Sequence, residues 1–349
     1  MLTLDDIGVD VAGFSLRDIR LAVNDGEYFV LIGPTGSGKT VLLETIAGLH
    51  RTKTGRILLD GSDITSAPPE KRGISIVYQD YSLFPHLTVA GNVAFGLKCA
   101  RRTDHEISEA IDWVAPLFGI GHLLQRKPST LSGGERQKVA LARAMATRPA
   151  IILLDEPLSA VDPETREVLQ EELRRLHVTL GMTIVHVTHS FEEAMALGER
   201  VGVLGQGRLH QVGTAGDIFS RPDSEFVARF TMAKNIFHGA VNQRSGNSVF
   251  AGEGISFRVV AEGEGSCCAV IRPELITLSD HERSDSDVNC ISAKVVDVLD
   301  KGALYSVALE VPARLSSLVS RVSMDTLHAR PGQSVYACFD AGAVHLLRE

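Results

Sequence analysis

The sequence predicts an α/β domain with a mostly parallel sheet, followed by a small all-β barrel of the OB-like type. Up to about residue 230, short β-branched runs alternate with longer helical patterns. A glycine-rich loop joins a strand to a helix near the start. From about residue 236, short alternating strands follow one another with few helical patterns between them. A chain of 349 residues is long enough for two domains that each bury a core.

The first part pairs each apolar run with a helical pattern. Such alternation predicts parallel strands covered by helices, with ligands gathered at the carboxyl ends of the strands. The pairs are residues 28–32 with 40–49, 150–154 with 163–180, and 182–187 with 191–197.

The second part alternates apolar and polar residues in short runs separated by Gly, Asp and Ser. This texture predicts a small antiparallel barrel. We expect the boundary between Arg229 and Phe237, which gives domains at 1–232 and 233–349. The predicted strands are 237–241, 255–260, 268–271, 291–298, 305–309 and 335–339.

Composition narrows the classes of protein. The formal net charge of −8 argues against broad basic surfaces, so no nucleic-acid partner is expected. The sequence lacks both an apolar run of about 18 residues and a positively charged N-terminal start, so we expect a cytoplasmic chain. Cysteine spacing predicts neither a disulfide framework nor a zinc site, and the cysteines are expected to be buried apolar groups. They are Cys99, Cys267, Cys268, Cys290 and Cys338.

The stretch 33–40 fits the pattern G-x-x-x-x-G-K-[ST] between a strand and a helix. Its glycines let backbone N–H groups surround phosphate oxygens, and the helix adds its positive dipole end. Lys39 is then predicted to neutralise β and γ phosphates, and the Thr40 hydroxyl to ligate Mg²⁺. The alternative is an ordinary glycine-rich turn. The predicted cradle consists of Gly33, Pro34, Thr35, Gly36, Ser37, Gly38, Lys39 and Thr40.

The apolar run 150–154 ends in two acids, Asp155 and Glu156. A strand buried on both faces gains nothing in packing from paired acids at its end. Asp155 is predicted to hold the magnesium shell and Glu156 to polarise the water that attacks the γ-phosphate. The alternative is a pair of solvated acids.

Ser132-Gly133-Gly134 opens a predicted helix and offers a second group of N–H donors to a phosphate. The alternative is a simple cap formed by Ser132.

These motifs, together with Gln79 and His189, resemble in order and spacing the ATP-binding cassette (ABC) ATPases over about the first two thirds of the chain. The resemblance implies a P-loop NTPase fold at 1–232, with a helical subdomain at about 80–149, and ATP and Mg²⁺ as cofactors. It also implies a head-to-tail dimer. ATP lies there between the cradle of one copy and Ser132, Gly133 and Gly134 of the second copy.

The resemblance assigns further roles residue by residue. Gln79 senses metal and water, His189 binds the γ-phosphate, and Asp162 couples the two sites. The adenine-stacking position, usually aromatic, falls at Val11, and the nearby Phe14 is expected in the core. The implied catalytic set is Glu156, His189, Gln79 and Lys39, and the implied magnesium ligands are Thr40, Gln79 and Asp155.

Residues 78–89 resemble the segment by which importer ATPases hold the coupling helix of a membrane permease. Tyr81, Leu83 and Phe84 are expected to be exposed anchors, although Phe84 has the alternative of packing the helical subdomain. The chain is then expected on the cytoplasmic face of the membrane, bound through permease subunits, with an extracellular or periplasmic substrate-binding protein as an indirect partner. ABC ATPases of DNA repair and translation remain less favoured, because neither coiled-coil insertions nor a second cradle is present.

The tail segments 302–304, 319–327, 331–332 and 335–346 resemble the molybdate/tungstate-binding module. Ser323 is predicted to cap a short helix over 323–327, and a regulatory oxyanion bound there would hold the cassettes apart and inhibit hydrolysis. The alternative is that Ser323 merely caps and Arg321 faces solvent. Molybdate or tungstate is the expected cargo; the alternatives are sulfate, a polyamine, iron or a sugar, with a purely structural tail. The expected anion site is Lys301, Gly302, Ala303, Ser320, Arg321 and Ser323.

Overall fold

The computed structural model describes residues 1–159, 161–244, 247–261, 263–283 and 287–348. The chain divides into two compact units, Met1–Gly216 and Asp217–Glu349. In the part of the chain that the structure describes, no helix has the length and apolar character needed to cross a membrane.

The first unit contains both strands and helices. Its strands are β1 (Leu2–Val11), β2 (Phe14–Val23), β3 (Tyr28–Ile32), β4 (Thr54–Leu59), β5 (Ser62–Asp63), β6 (Ile74–Val77), β7 (Ile151–Asp155), β8 (Thr183–Thr188), β9 (Arg200–Gly205) and β10 (Arg208–Gly213). Its helices are α1 (Lys39–Ala47), α2 (Val89–Cys99), α3 (Asp104–Leu117), α4 (Gly133–Ala146), α5 (Pro163–Leu180) and α6 (Phe191–Leu197).

The strands of the first unit form two sheets. The larger has the order β10-β9-β3-β8-β7-β6, and only β10 is antiparallel to its neighbour. Strands β3, β7 and β8 are buried along their whole length, as the continuous apolar runs predict. The mostly parallel sheet is therefore confirmed. The smaller sheet, β2-β1-β4-β5, is antiparallel and was not predicted.

The second unit is built mainly from strands. From Ala215 onward the helices are short: α7 (Ala215–Ser220), α8 (Glu225–Phe230) and α9 (Arg321–Leu327). The strands are β11 (Asn235–Arg244), β12 (Asn247–Gly252), β13 (Ile255–Val259), β14 (Gly265–Ile271), β15 (Thr277–Ser279), β16 (Val288–Asp300), β17 (Leu304–Glu310), β18 (Arg314–Ser320), β19 (Ser334–Asp340) and β20 (Val344–Leu347).

These strands form two antiparallel sheets, β13-β12-β11-β14-β20 and β15-β19-β16-β17-β18. Phe237, Phe250, Phe257 and Phe339 lie in the shared apolar core. The all-β character of the tail is therefore confirmed. Strands β12, β15, β18 and β20 were not predicted. Gly, Ser and Arg interrupt the apolar pattern of β12 and β18, and β15 and β20 are only three and four residues long.

The prediction that no disulfide forms was wrong. Cys290 on β16 and Cys338 on β19 are direct cross-strand partners, and they are joined by a disulfide with a Cα–Cα distance of 4.2 Å. The pairing depends on strand register between positions 48 residues apart, which cysteine spacing does not reveal. Cys99 is exposed, which also corrects the expectation that the cysteines are buried.

Candidate functional site

The loop between β3 and α1 is shaped by two glycines. Gly38, the N-cap of α1, has φ +100°, and a Cβ there would lie 2.5 Å from the ring of Phe14. A Cβ on Gly33 would lie 2.1 Å from the carbonyl oxygen of Leu204. Both positions therefore exclude a side chain. The loop folds tightly before a helix N-terminus, the arrangement that binds phosphate.

Lys39 is buried under this loop. Its Nζ donates to the carbonyl oxygens of Gly33 and Pro34, at 2.8 and 3.2 Å. Burial lowers the pKa of Lys39, and the carboxylates of Glu156 and Asp155 oppose that shift. The buried hydroxyl of Ser37 has no hydrogen-bond partner among the described residues. An orphaned donor beside a buried cation suits an anionic ligand.

Thr40 and Asp155 meet beside the cradle. The Thr40 hydroxyl donates to the two carboxylate oxygens of Asp155, at 3.1 and 3.0 Å. Burial raises the pKa of Asp155, and the carboxylates of Glu156 and Glu44 raise it further. A divalent cation would relieve this accumulation of buried negative charge, so the oxygen donors fit Mg²⁺. Gln79 is exposed and lines an adjoining cavity of about 730 Å³ together with Thr40 and Asp155.

Glu44 belongs to this constellation, and sequence reasoning missed it. It lies on α1, where it accepts hydrogen bonds from Tyr78 at 3.3 Å and His50 at 2.9 Å. Its position five residues after Lys39 is a helix-surface position, which carries no signal of its own in the sequence.

Glu156 follows β7 and contacts His189, which follows β8. Glu156 Oε1 lies 3.2 Å from His189 Nδ1. The backbone of Glu156 has φ +46°, in the left-handed region that is unfavourable for a side-chain-bearing residue. Its N–H donates to the carbonyl oxygen of Val187 at 2.9 Å, which holds the strained turn in place. Strain of this kind is common at functional sites.

Glu156 also lines a cavity of about 350 Å³ with the cradle residues and Phe14. Val11, the position predicted to contact adenine, pairs with Phe14 at the end of the β1–β2 hairpin. Phe14 is half-buried, packs against the apolar core and faces the cavity. Val11 is not among the described residues that line that cavity.

The Ser132–Gly134 segment lies at the start of α4. Ser132 caps the helix by accepting from the Glu135 N–H at 3.2 Å, and the Glu135 carboxylate accepts from the Ser132 N–H at 2.7 Å. A Cβ on Gly133 would have no described atom within 4 Å, and one on Gly134 would only touch Thr165 at 3.5 Å. These glycines therefore have no packing role in the described part of their own chain. They are also absent from the described residues that line the two cavities.

Asp162 is the N-cap of α5 and accepts from the Thr165 N–H at 3.0 Å. This hydrogen bond lowers the pKa of Asp162. The carboxylate is exposed, so it remains accessible to a ligand or a second chain.

None of the three residues expected to be exposed anchors for a permease is exposed. Tyr81 is 4% exposed, and its hydroxyl donates to the Pro157 carbonyl at 3.4 Å, so its expected exposure was wrong. Phe84 is half-buried, with its ring 4.2 Å from that of Phe95 on α2. This is the packing role that remained open for Phe84. Leu83 is also half-buried.

The predicted anion residues lie in the β16–β17 loop and at the start of α9. Ser320, rather than Ser323, caps α9 and accepts from the Ser323 N–H at 3.2 Å, because the helix begins two residues earlier than predicted. Arg321 donates to both carboxylate oxygens of Asp300 at 3.0 and 2.9 Å, and its Nε donates to the Gly302 carbonyl at 2.6 Å. Lys301 and Ala303 are exposed beside it.

Family models and known proteins are similar to both parts of the chain. The family model described as ABC transporter matches residues 16–159, and the TOBE domain model matches residues 269–347. A "Molybdate/tungstate import ATP-binding protein WtpC" from Pyrococcus horikoshii is 45% identical over 347 residues, covering 99% of both chains. A "Spermidine/putrescine import ATP-binding protein PotA" from Protochlamydia amoebophila is 38% identical, covering 90% of this chain and 85% of that protein.

A solved structure resembles the first part of the chain. It is the ATP-binding cassette MJ0796, a dimer in a post-hydrolysis state bound to ADP and Pi. The TM-score is 0.54 with 29% identity, and the match covers 62% of this chain and 99% of that one.

Proposed function

We propose that the chain, which belongs to the ABC transporter family of ATP hydrolases, is the ATP-hydrolysing subunit of an importer for molybdate or tungstate. It works as a head-to-tail dimer on the cytoplasmic face of a membrane, bound to permease subunits that receive cargo from an extracellular or periplasmic binding protein. The relatives named for molybdate and tungstate favour this cargo, since they are more similar to this chain than the polyamine relatives.

The observation that carries the proposal is the meeting of Lys39, Thr40, Asp155, Glu156 and His189 at the carboxyl ends of adjacent parallel strands. Among the described residues, Lys39 is a buried cation that donates to loop carbonyls alone, so it can exchange these bonds for phosphate oxygens without moving far. Glu156 is positioned to accept a proton from attacking water, and His189 orients it through their contact.

Magnesium, held by Thr40 and Asp155 with Gln79 at its edge, would neutralise charge on the phosphates. The Thr40 hydroxyl lies against Asp155 on the side that faces the cavity containing Gln79. The residues of this chain that bind phosphate, accept the proton and orient the proton acceptor are therefore gathered in one place. The donors expected to contact the far side of the γ-phosphate are not.

Those donors are proposed to come from a second copy. Glycine in a helix costs about 1 kcal/mol relative to alanine, and Gly133 has open space around it. A close approach by another molecule explains why a side chain is avoided there. Ser132, Gly133 and Gly134 of one copy would then face the cradle of the other, and Asp162 would lie at the same interface.

The domain limits 1–232 and 233–349 remain part of the proposal, as does regulation by an oxyanion in the second unit. The six residues predicted to bind the anion supply hydroxyl, guanidinium, ammonium and backbone donors. Since Arg321 is paired with Asp300, an anion would have to displace that carboxylate. An importer for a polyamine with a structural tail is the second candidate, favoured by the identity to the polyamine relatives.

A Glu156→Gln substitution tests the proposed chemistry. Loss of the proton acceptor should lower the rate of phosphate release from Mg-ATP by about 10²- to 10⁴-fold while nucleotide binding persists. The measurement is steady-state phosphate release by the full chain, with nucleotide affinity determined in parallel.

Glu164→Gln is the matched control, because it removes an exposed carboxylate from the first turn of α5. Its rate should equal that of the unaltered chain. Equal turnover by the Glu156→Gln chain would refute the assignment of Glu156 as the base.

A further inference from the structure

Three side chains of different chemistry meet on the second unit, and none of them has a role assigned above. Glu225 lies at the start of α8, His238 on β11 and Cys268 on β14, and one ligand atom from each lies within 4.8 Å of the other two. His238 Nδ1 is 2.9 Å from Cys268 Sγ, and His238 Nε2 is 3.6 Å from Glu225 Oε2.

We propose that Glu225, His238 and Cys268 form a binding site for a divalent transition-metal ion of the Zn²⁺ type. Thiolate, imidazole and carboxylate are the ligands that zinc accepts in proteins, and three protein ligands leave one position for water. Zinc bond lengths of about 2.0–2.3 Å in a tetrahedral arrangement put ligand atoms about 3.4–3.6 Å apart. The Nε2–Oε2 distance already matches this separation.

The thiol and imidazole are held in place by the sheet. His238 and Cys268 are opposite each other in the β11–β14 register, while their neighbours Phe237 and Cys267 point into the core. Strand alternation therefore sends both ligands to the outer face. In the present orientation of the ring, His238 Nδ1 faces the thiol and Nε2 faces the carboxylate. The side chain of His238 is 58% exposed, so the ring can turn until one nitrogen faces the position between the thiol and the carboxylate.

The carboxylate is also oriented. Arg229 donates from Nε to Oε1 of Glu225 at 2.7 Å, which leaves Oε2 directed toward His238. The backbone N–H of His238 donates to Glu253 Oε1 at 2.9 Å, which adds a second acidic side chain beside the ligands. Outer contacts of this kind orient metal ligands in known sites. A bound ion would fasten α8 to the sheet.

Cobalt titration of the full nucleotide-free chain tests the site, because a cysteine thiolate bound to Co²⁺ gives a charge-transfer absorption. The chain should bind one Co²⁺ with this absorption, and Zn²⁺ should displace it and raise the thermal midpoint. Cys268→Ser and His238→Asn should each weaken binding by at least about 10- to 100-fold, and Cys268→Ser should abolish the absorption. Arg229→Gln should weaken binding by about 10-fold.

Cys99→Ser is the matched control, since it removes an exposed cysteine outside the site and should leave the titration unchanged. Circular dichroism of each variant establishes that it is folded. The proposal is overturned if the absorption persists in Cys268→Ser. It is equally overturned if the unaltered chain binds Co²⁺ no more tightly than the variants, and rapid alkylation of Cys268 in that case would assign the cluster as a hydrogen-bonded thiol only.

Discussion

Two groups of residues differ in how their polar atoms are satisfied. One is the nucleotide site, formed by the cradle with the adjoining Asp155 and Glu156. The other is the cluster that is proposed to bind an anion, formed by Lys301, Gly302, Ala303, Ser320, Arg321 and Ser323. At the nucleotide site, the Ser37 hydroxyl lacks a partner among the described residues, Glu156 has a backbone in the left-handed region, and Asp155 is buried with a raised pKa. In the cluster, Arg321 is paired with Asp300, and the Ser320 hydroxyl caps α9.

A site whose polar groups lack partners until its ligand binds therefore differs from a site in which the ligand must compete with groups of the same chain. The nucleotide site holds unpaired and strained groups whose cost is recovered when the ligand binds. In the cluster, the Arg321 guanidinium and the Ser320 hydroxyl already have partners, so an anion has to compete with the Asp300 carboxylate for Arg321. We therefore expect substitutions at the nucleotide site to have large effects and those in the cluster to have small ones.

The largest effect is expected from Asp155→Asn. Loss of the magnesium ligand should lower Mg-ATP hydrolysis by at least about 10²-fold. Without nucleotide, the same substitution should raise the thermal midpoint. The folded pKa of Asp155 lies above its unfolded value, so the ionised side chain destabilises the fold, and stability falls as pH rises between those two values. The measurement is thermal unfolding without nucleotide across a pH series from pH 4 to pH 8, in which the gain from Asn should grow until pH passes the folded pKa of Asp155 and stay constant above it.

Asp162→Asn is the control of opposite sign. Its folded pKa is lowered by the Thr165 N–H, so its ionised form stabilises the fold above the unfolded pKa, and this contribution is lost as pH falls. Asn also caps helices well, so little change in midpoint is expected at pH 7. If Asp155→Asn lowered the midpoint at every pH, Asp155 would have to be stabilised by its surroundings, and the contrast with the cluster would fail.

The next effect concerns Gly133. Gly133→Ala adds a methyl group that meets no described atom of its own chain, so the free energy of unfolding should stay equal or rise slightly through better helix propensity. Hydrolysis should nevertheless fall by about 10-fold, since the methyl group would obstruct the approach of the proposed second copy. Steady-state hydrolysis and thermal unfolding measure the two effects.

Gly121→Ala provides the comparison, because a Cβ there also has no described atom within 4 Å and the residue lies outside the Ser132–Gly134 segment. Unchanged hydrolysis is expected. A normal rate in Gly133→Ala would argue that no second copy contacts this glycine.

The contiguous parts of the site were predictable from sequence, whereas the parts assembled across strands were not. Gly33–Thr40 and Asp155–Glu156 can be recognised in the sequence because each needs neighbouring residues of fixed type. The Cys290–Cys338 disulfide, the Arg321–Asp300 pair and the Glu225–His238–Cys268 cluster depend on register between distant residues. No local pattern contains that information. The β2-β1-β4-β5 sheet was missed because its strands lie before and after the cradle motif in the sequence and contain no motif of their own.

The adenine contact is the next test of the cradle. Phe14 faces the cavity of about 350 Å³, whereas the resemblance points to Val11. Phe14→Ala should raise the KM for ATP by about 5- to 10-fold, at the lower end of what aromatic stacking on a base contributes. Phe14→Leu should retain core packing and show the loss of stacking alone.

Val11→Ala should change KM by less than about twofold, because its side chain lies at the end of the hairpin rather than on the cavity wall. Steady-state kinetics with ATP and GTP measures both variants. A larger effect at Val11 than at Phe14 would instead assign adenine contact to the position that the resemblance indicates.

The smallest effect is expected in the cluster, where Asp300→Asn removes the carboxylate that competes with an anion. The Gly302 N–H and Arg321 lower the pKa of Asp300, so it is ionised at neutral pH and the substitution removes a full charge. Because the competing pair is exposed, its contribution is modest, and we expect molybdate affinity to rise only about threefold. Calorimetry of the full chain with molybdate, tungstate and sulfate measures this. Asp297→Asn, on the same strand, controls for the change in net charge. An equal gain from both substitutions would mean that long-range charge alone sets the affinity. Unchanged affinity in both would mean that Asp300 does not compete with the anion, and no measurable binding of any of the three anions would leave the tail structural.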